Sequence, residues 1–228
     1  MKTTSVVVRL VAMVAVLGGA LFGLAGTFAW PAAWGYITVV TVVTVVIGVY
    51  GLVVLPTHPE LVEERRHPPA DAKRWDRPCV AAVAVLGPAA LIVLSGLDRR
   101  YGWSPDTPAW LQVAGLAIGL VGGMFTNYAV TTNPFFSAIV RIRRDRGHHV
   151  IEAGPYRFIR HQGYAGSIVY MLGTAASLGS RVAVAATVAL SLVLVVRTAL
   201  EDRTLQAELE GYAAYATRVR YRLLPGVW

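Results

Sequence analysis

Six long, mainly apolar stretches dominate the chain, and their lengths leave little choice of fold. They run from Val6 to Trp30, Trp34 to Leu55, Val80 to Leu97, Trp110 to Val130, Tyr164 to Leu178 and Val182 to Val196. A helix needs ~20 apolar residues to cross ~30 Å of hydrocarbon, so the last two stretches are short for a span. Only Gly179 to Arg181 separates them, which predicts a tight hairpin whose turn sits near the far interface. β-Branched residues crowd Val39 to Val46, but in lipid a lone strand leaves its backbone unpaired and a helix does not. The first stretch is too long for a signal-peptide core, and a second follows at once, so it is read as a span. The expected fold is all-α: a polytopic membrane helix bundle of about six transmembrane helices.

Composition agrees with this reading. A hydrophobic content of 55% with a mean hydropathy of +0.54 excludes an ordinary water-soluble domain. The net charge of +8 does not point to nucleic acid, because the basic residues fall in short segments between apolar runs. Eighteen Lys and Arg residues lie on one side of the six-span topology, and Arg99, Arg100 and Arg181 lie on the other. That asymmetry predicts an integral multi-pass protein with both termini cytoplasmic. Cys79 is the single cysteine, so no intrachain disulfide or CxxC centre is available.

The expected organisation is a helix pair in residues 1–55, a cytoplasmic loop in 56–77, two further spans in 78–131, and a C-terminal region in 132–228 holding the hairpin 164–196. The first loop mixes Glu60, Glu63, Glu64, Arg65 and Arg66 with Pro68 and Pro69 and ends KRWDR at Lys73 to Arg77, with Trp75 placed as a headgroup-level anchor. Gly115, Gly119 and Gly123 recur every four residues in the fourth stretch and predict close helix packing. From Leu205 onward an amphipathic helix is expected, with Leu205, Leu209, Tyr212, Ala216 and Val219 on one stripe and an interfacial position.

Chemistry concentrates in GPYRFIRHQGYAG, Gly154 to Gly166. Arg157, Arg160, His161, Tyr156, Tyr164, a Gly-Pro turn and two further glycines stand just before a helix that enters lipid. Glycines let the backbone approach a ligand, and the following helix N-terminus offers unpaired N–H groups. The plainer alternative is a basic juxtamembrane loop that only sets topology. At the end of the last span, Arg197 and Glu201 are four residues apart and therefore share a face, followed by Asp202. They form either an ordinary surface pair or a ligand-facing acid and guanidinium. Asn133 reads as a cap or as a polar contact in a pocket. His148 and His149 have no HExxH or Cys/His framework around them, so no metal site is expected. Aromatic faces, arginines and carboxylates at a cytoplasmic membrane face fit S-adenosylmethionine, whose methyl transfer demands alignment more than covalent help.

These residues carry a family resemblance. GPYRFIRHQGYAG, the helical hairpin, R-x-x-x-E-D at Arg197 to Asp202 and GYAAYATRVRYRLLPGVW at Gly211 to Trp228 resemble the isoprenylcysteine carboxyl methyltransferase family and its phospholipid methyltransferase relatives. The KRWDR loop, NPFFS at Asn133 to Ser137 and RGHHV are similar to its bacterial branch. The resemblance implies an integral membrane methyltransferase with S-adenosylmethionine as cofactor and a lipophilic acceptor arriving from the lipid bilayer. It implies Gly154, Pro155, Tyr156, Arg157, His161, Tyr164, Gly166 and Glu201 as cofactor-binding, with Arg160, Arg197 and Glu201 as the catalytic set. Two positions depart from the family pattern. Gln162 stands where proline usually follows the Arg-His pair, and Asp202 stands in a usual Glu-Glu pair. The alternatives are a membrane sterol or enone reductase using NAD(P)H, which shares an Arg-His motif followed by tyrosine and glycine, and a non-enzymatic membrane scaffold.

Overall fold

The structure, a computed structural model, describes residues 3–54, 73–137 and 139–228. The first loop's Glu60 to Pro69 cluster, and with it most of the 56–77 segment, lies outside them. Among the described residues the fold is helical, without strands. Helices α1 (Thr3–Ala25), α2 (Pro31–Val54), α3 (Asp76–Tyr101), α4 (Ala109–Thr132), α5 (Gln162–Ser177) and α6 (Arg181–Glu208) correspond to the six apolar stretches, and a short α7 (Tyr212–Arg218) follows. Three of them, α3, α4 and α6, are long and apolar enough to cross a membrane by length and composition. Val11–Ala25 in α1 and Pro31–Val45 in α2 form shorter apolar segments. Many outward-facing residues are apolar, among them Val16, Val113 and Val121, each more than 60% exposed. Lipid is the solvent that such a surface fits.

Helix α3 starts at Asp76, inside KRWDR, four residues before the expected Val80, and widens into a π-helical stretch at Ala81–Leu86. Pro88 lies directly beyond it and has no N–H to donate. The turn between α5 and α6 occupies residues 178–180, as its glycine foretold, with Gly179 at φ +76° and the Ser180 hydroxyl capping α6 through the Ala183 N–H. Buried Asp98 binds this corner by accepting from Ser104 N (2.7 Å), Ser104 Oγ (2.6 Å) and Ser180 Oγ (2.5 Å). Leu21, Trp30, Ala33, Leu91, Ala175 and Leu178 belong to the main apolar core near the same end.

Helices α4 and α5 make the closest pairing, through glycine. The sequence points to Gly115, Gly119 and Gly123, whereas the structure buries Gly115, Gly119 and Gly122. A stripe that follows 3.6 residues per turn steps by four and then by three, so the third contact moves back one residue. A Cβ on Gly122 would lie 2.5 Å from Tyr170 N and 2.9 Å from Val169 C, backbone atoms that cannot step aside, whereas one on Gly123 would meet only the Tyr170 ring at 3.5 Å. Gly122→Ala is therefore expected to cost about 1–3 kcal/mol and Gly123→Ala less than about 0.5 kcal/mol, as thermal unfolding in micelles would show.

A continuous amphipathic helix from Leu205 does not form. Helix α6 ends at Glu208, and Gly211 takes φ +80°, a left-handed conformation that glycine adopts without steric penalty. The apolar stripe survives the break. Leu209, Tyr212, Tyr215 and Val219 are buried together with Leu205 and Ala216 against Ile142 and Val150, so α7 covers the loop that follows α4.

Candidate active site

A pocket, partly open to solvent, lies where the loop after α4, the start of α5, the end of α6 and α7 converge. Tyr156, Arg160, His161, Tyr164 and Glu201 all line it, so five residues singled out in the sequence meet in one cavity. Gly154, Pro155, Arg157, Gly166 and Arg197 do not line it. Gly154 (φ +56°) shapes the 3₁₀ turn Gly154–Arg157, Arg157 is exposed, and Gly166 is spent on the α4 contact against Gly122 O. Arg197 sits behind Tyr164, with its guanidinium carbon 5.0 Å from the ring centroid.

Two buried carboxylates organise these groups. Asp202 is fully buried. Its Oδ2 accepts from Arg160 Nη2 (3.1 Å), Arg222 Nε (2.8 Å) and Gln206 Nε2 (2.8 Å), and its Oδ1 accepts from the Tyr212 hydroxyl (3.0 Å). His161 Nε2 lies 3.3 Å from Oδ1. Arg160 Nε also approaches Oδ1 at 2.9 Å, in ion-pair contact outside hydrogen-bond direction. Arg160 Nη1 donates to Ala216 O (3.1 Å) and Val219 O (3.0 Å), tying the end of α7 to the motif. The backbone adds Arg160 N to Tyr221 O and His161 N to Arg222 O.

Asp76, equally buried, is the second. It receives Arg197 in bidentate fashion, Nε to Oδ1 at 2.7 Å and Nη2 to Oδ2 at 3.0 Å, and Oδ2 also accepts from Val140 N at 2.7 Å. Beyond Arg197, the Tyr164 hydroxyl donates to Glu201 Oε2 at 2.5 Å, and the Tyr164 ring is parallel to His161 at a centroid distance of 5.9 Å. Asp76, Arg197, Tyr164 and Glu201 thus run in sequence from α3 to the pocket wall.

The opposite wall is aromatic. Asn133 ends α4, accepts from Phe135 N through Oδ1 (2.8 Å) and donates to the Tyr156 hydroxyl (3.3 Å), so it serves both as a cap-like turn and as a pocket residue. Phe135 packs on His148 (4.5 Å) and edge-on to His149 (5.0 Å). His148 Nδ1 accepts from Arg143 N at 3.3 Å, and burial, aided by the charges of Arg143 and His149, pulls its pKa down to about 4, so it is neutral near pH 7. Burial pushes the Tyr156 hydroxyl up to about 12. No group of three or more His, Cys, Asp or Glu residues among the described residues is arranged to hold a metal ion.

Asp76, Phe135, Phe136, Tyr212 and Tyr215 were legible in the sequence only as members of motifs or of the apolar stripe, and not as pocket or pocket-supporting residues. Asp76 carried a signal, being an acid at the mouth of an apolar span, where a charge needs a partner. Its partner, 121 positions away, could not be read.

The fold and pocket together define a class: a polytopic helical membrane protein with a carboxylate- and arginine-organised cavity at one end of its helices. Residues 115–207 match the isoprenylcysteine carboxyl methyltransferase (ICMT) family, a region holding both GPYRFIRHQGYAG and R-x-x-x-E-D. The chain is similar to protein-S-isoprenylcysteine O-methyltransferase B of Arabidopsis thaliana, 27% identical over 87 residues that are 38% of this chain and 40% of that protein. It is also similar to a probable protein-S-isoprenylcysteine O-methyltransferase of Oryza sativa subsp. indica, 33% identical over 86 residues, 37% of this chain and 44% of that one. The matched part thus spans less than half the length of these relatives. The fold is that of the eukaryotic intramembrane Ras methyltransferase ICMT, with a TM-score of 0.59 and 19% identity over 93% of this chain and 75% of that structure. The family match falls on the stretch whose motifs resemble the ICMT family, and the names of these relatives agree with it.

Proposed function

We propose that this chain is an integral membrane S-adenosylmethionine-dependent methyltransferase acting on a lipophilic acceptor from the cytoplasmic face, with an S-isoprenylcysteine carboxylate as the acceptor class. The observation that carries the reading is the convergence of Tyr156, His161, Tyr164 and Glu201 on one pocket within the family-matched region. The charge asymmetry of the loops supports a cytoplasmic side for both termini and the pocket, and the six helices are taken as six spans. Residues 132–228 are the catalytic region, and 1–55, 56–77 and 78–131 support it.

The donor set fits the cofactor. Glu201 is half-buried and held by Tyr164, a fixed acceptor suited to ribose hydroxyls or an ammonium, while Tyr156, Phe135 and Phe136 offer π-faces to a sulfonium and a purine. When bound, S-adenosylmethionine supplies an electrophilic methyl group, and a carboxylate acceptor takes it without releasing a proton. The protein's own work is then alignment and water exclusion. Arg160 and Arg197 act in positioning: Arg160 holds α7 over the pocket, and Arg197 backs the ring of Tyr164.

The test is a calorimetric titration of the purified protein in mild detergent with S-adenosylmethionine, S-adenosylhomocysteine and NADPH. Saturable binding of the two methyl-cycle compounds is expected. Glu201→Gln keeps the shape but removes a charged acceptor, and is expected to weaken S-adenosylhomocysteine binding about 10- to 100-fold with little change in thermal stability. Binding of NADPH alone would move the chain to the reductases.

A further inference from the structure

Gln162 is the first residue of α5 and is fully buried, yet only one end of its amide has a protein partner. Nε2 donates to Ile159 O, while Oε1 has no donor within reach. A buried carbonyl without a donor loses its hydration and receives nothing in return, so a well-satisfied fold supplies that donor from elsewhere. Gln162 lines the pocket, between His161 and Gly163, with Phe136 seated so closely over Gly163 that a Cβ there would lie 2.7 Å from the ring. The proline usual here in the family has no side-chain acceptor and fits the first turn of a helix without cost. The glutamine is therefore not required for α5 to start.

Resting on the methyltransferase reading above, we infer that Gln162 is a ligand-recognition residue whose Oε1 accepts a hydrogen bond from an N–H group of a molecule held in this pocket. An N–H can come from two sources: an amino group of the cofactor, or an amine acceptor. A carboxylate acceptor oxygen would be repelled by Oε1, so with such an acceptor the N–H belongs to the cofactor.

The experiment uses the full chain in nanodiscs and compares Gln162→Leu and Gln162→Pro with the wild type. Each is titrated with S-adenosylhomocysteine, with S-inosylhomocysteine, in which a carbonyl replaces the purine amino group, and with the analogue lacking the α-amino group. Methylation of phosphatidylethanolamine in phosphatidylcholine bilayers and of an S-prenylcysteine is measured alongside. If the cofactor supplies the N–H, both variants bind S-adenosylhomocysteine about tenfold more weakly at unchanged thermal midpoint. The analogue missing the relevant amine then binds wild type and variants alike. If an amine acceptor supplies it, cofactor affinity is constant and the KM for phosphatidylethanolamine rises about tenfold in both variants, with the prenylcysteine unaffected. Cofactor affinity within twofold of wild type, together with no Gln162-dependent methylation of the amine lipid, overturns the assignment alone. A folded wild type that binds none of the cofactor compounds removes the methyltransferase reading and this assignment with it.

Discussion

Asp202→Asn is expected to destabilise the protein by about 3–5 kcal/mol, seen as a large fall in thermal midpoint and as proteolysis beyond Glu208 at temperatures the wild type resists. The carboxylate is fully buried and receives donors from Arg160, Arg222, Gln206 and Tyr212, with His161 beside them. Asparagine removes the negative charge and turns one acceptor into a donor that faces other donors. Arg160, whose side chain is only 4% exposed, then keeps a buried charge without its counterion. The loss spreads because Arg160 also holds Ala216 O and Val219 O, and His161 N holds Arg222 O. Asp202→Glu, the residue usual in the family, keeps the charge but forces a methylene into a filled shell, for about 1–3 kcal/mol. Wild-type stability in Asp202→Asn would show that the cluster contributes nothing to folding. The short acid here matches a shell closed around it, with two guanidinium groups within 3.1 Å.

Helix existence was legible because apolar length is a local property, and the turn near Gly179 was legible because a positive φ selects glycine. Helix ends were less so: α6 runs twelve residues past the apolar stretch ending at Val196 because its last turns exchange lipid for the ion clusters of Arg197 and Asp202. The candidate site shows the same division. That Tyr156, His161, Tyr164 and Glu201 gather in one place follows from motif density. Which arginine meets ligand does not, since spacing alone cannot tell that Arg160 turns to backbone carbonyls or that Arg197 turns to Asp76. Gln162 could be read from the sequence only as a departure from proline. Its unmatched carbonyl oxygen appears once the neighbours of the α5 start are in place.

The tie between Asp76 and Arg197 permits a sharper separation of stability from function. Asp76→Ala leaves a guanidinium that is only 6% exposed without its bidentate partner and also frees Val140 N, so about 3–5 kcal/mol of stability is expected to be lost, along with most cofactor affinity. The double variant Asp76→Leu with Arg197→Met removes both charges and fills similar volume. Buried pairs replaced together by apolar residues are often neutral for stability, because the desolvation penalty of both ions disappears with their attraction. The double variant is therefore expected to recover most of the thermal midpoint lost by Asp76→Ala. It is not expected to recover binding: without the guanidinium 5.0 Å from the Tyr164 ring, Tyr164 loses the contact that sets its hydroxyl against Glu201. Thermal unfolding and S-adenosylhomocysteine titration on the same samples decide the matter. Stability regained with affinity still down at least tenfold makes the pair a positioning device for Tyr164 and Glu201, and recovery of both makes it a fold element that apolar packing can replace.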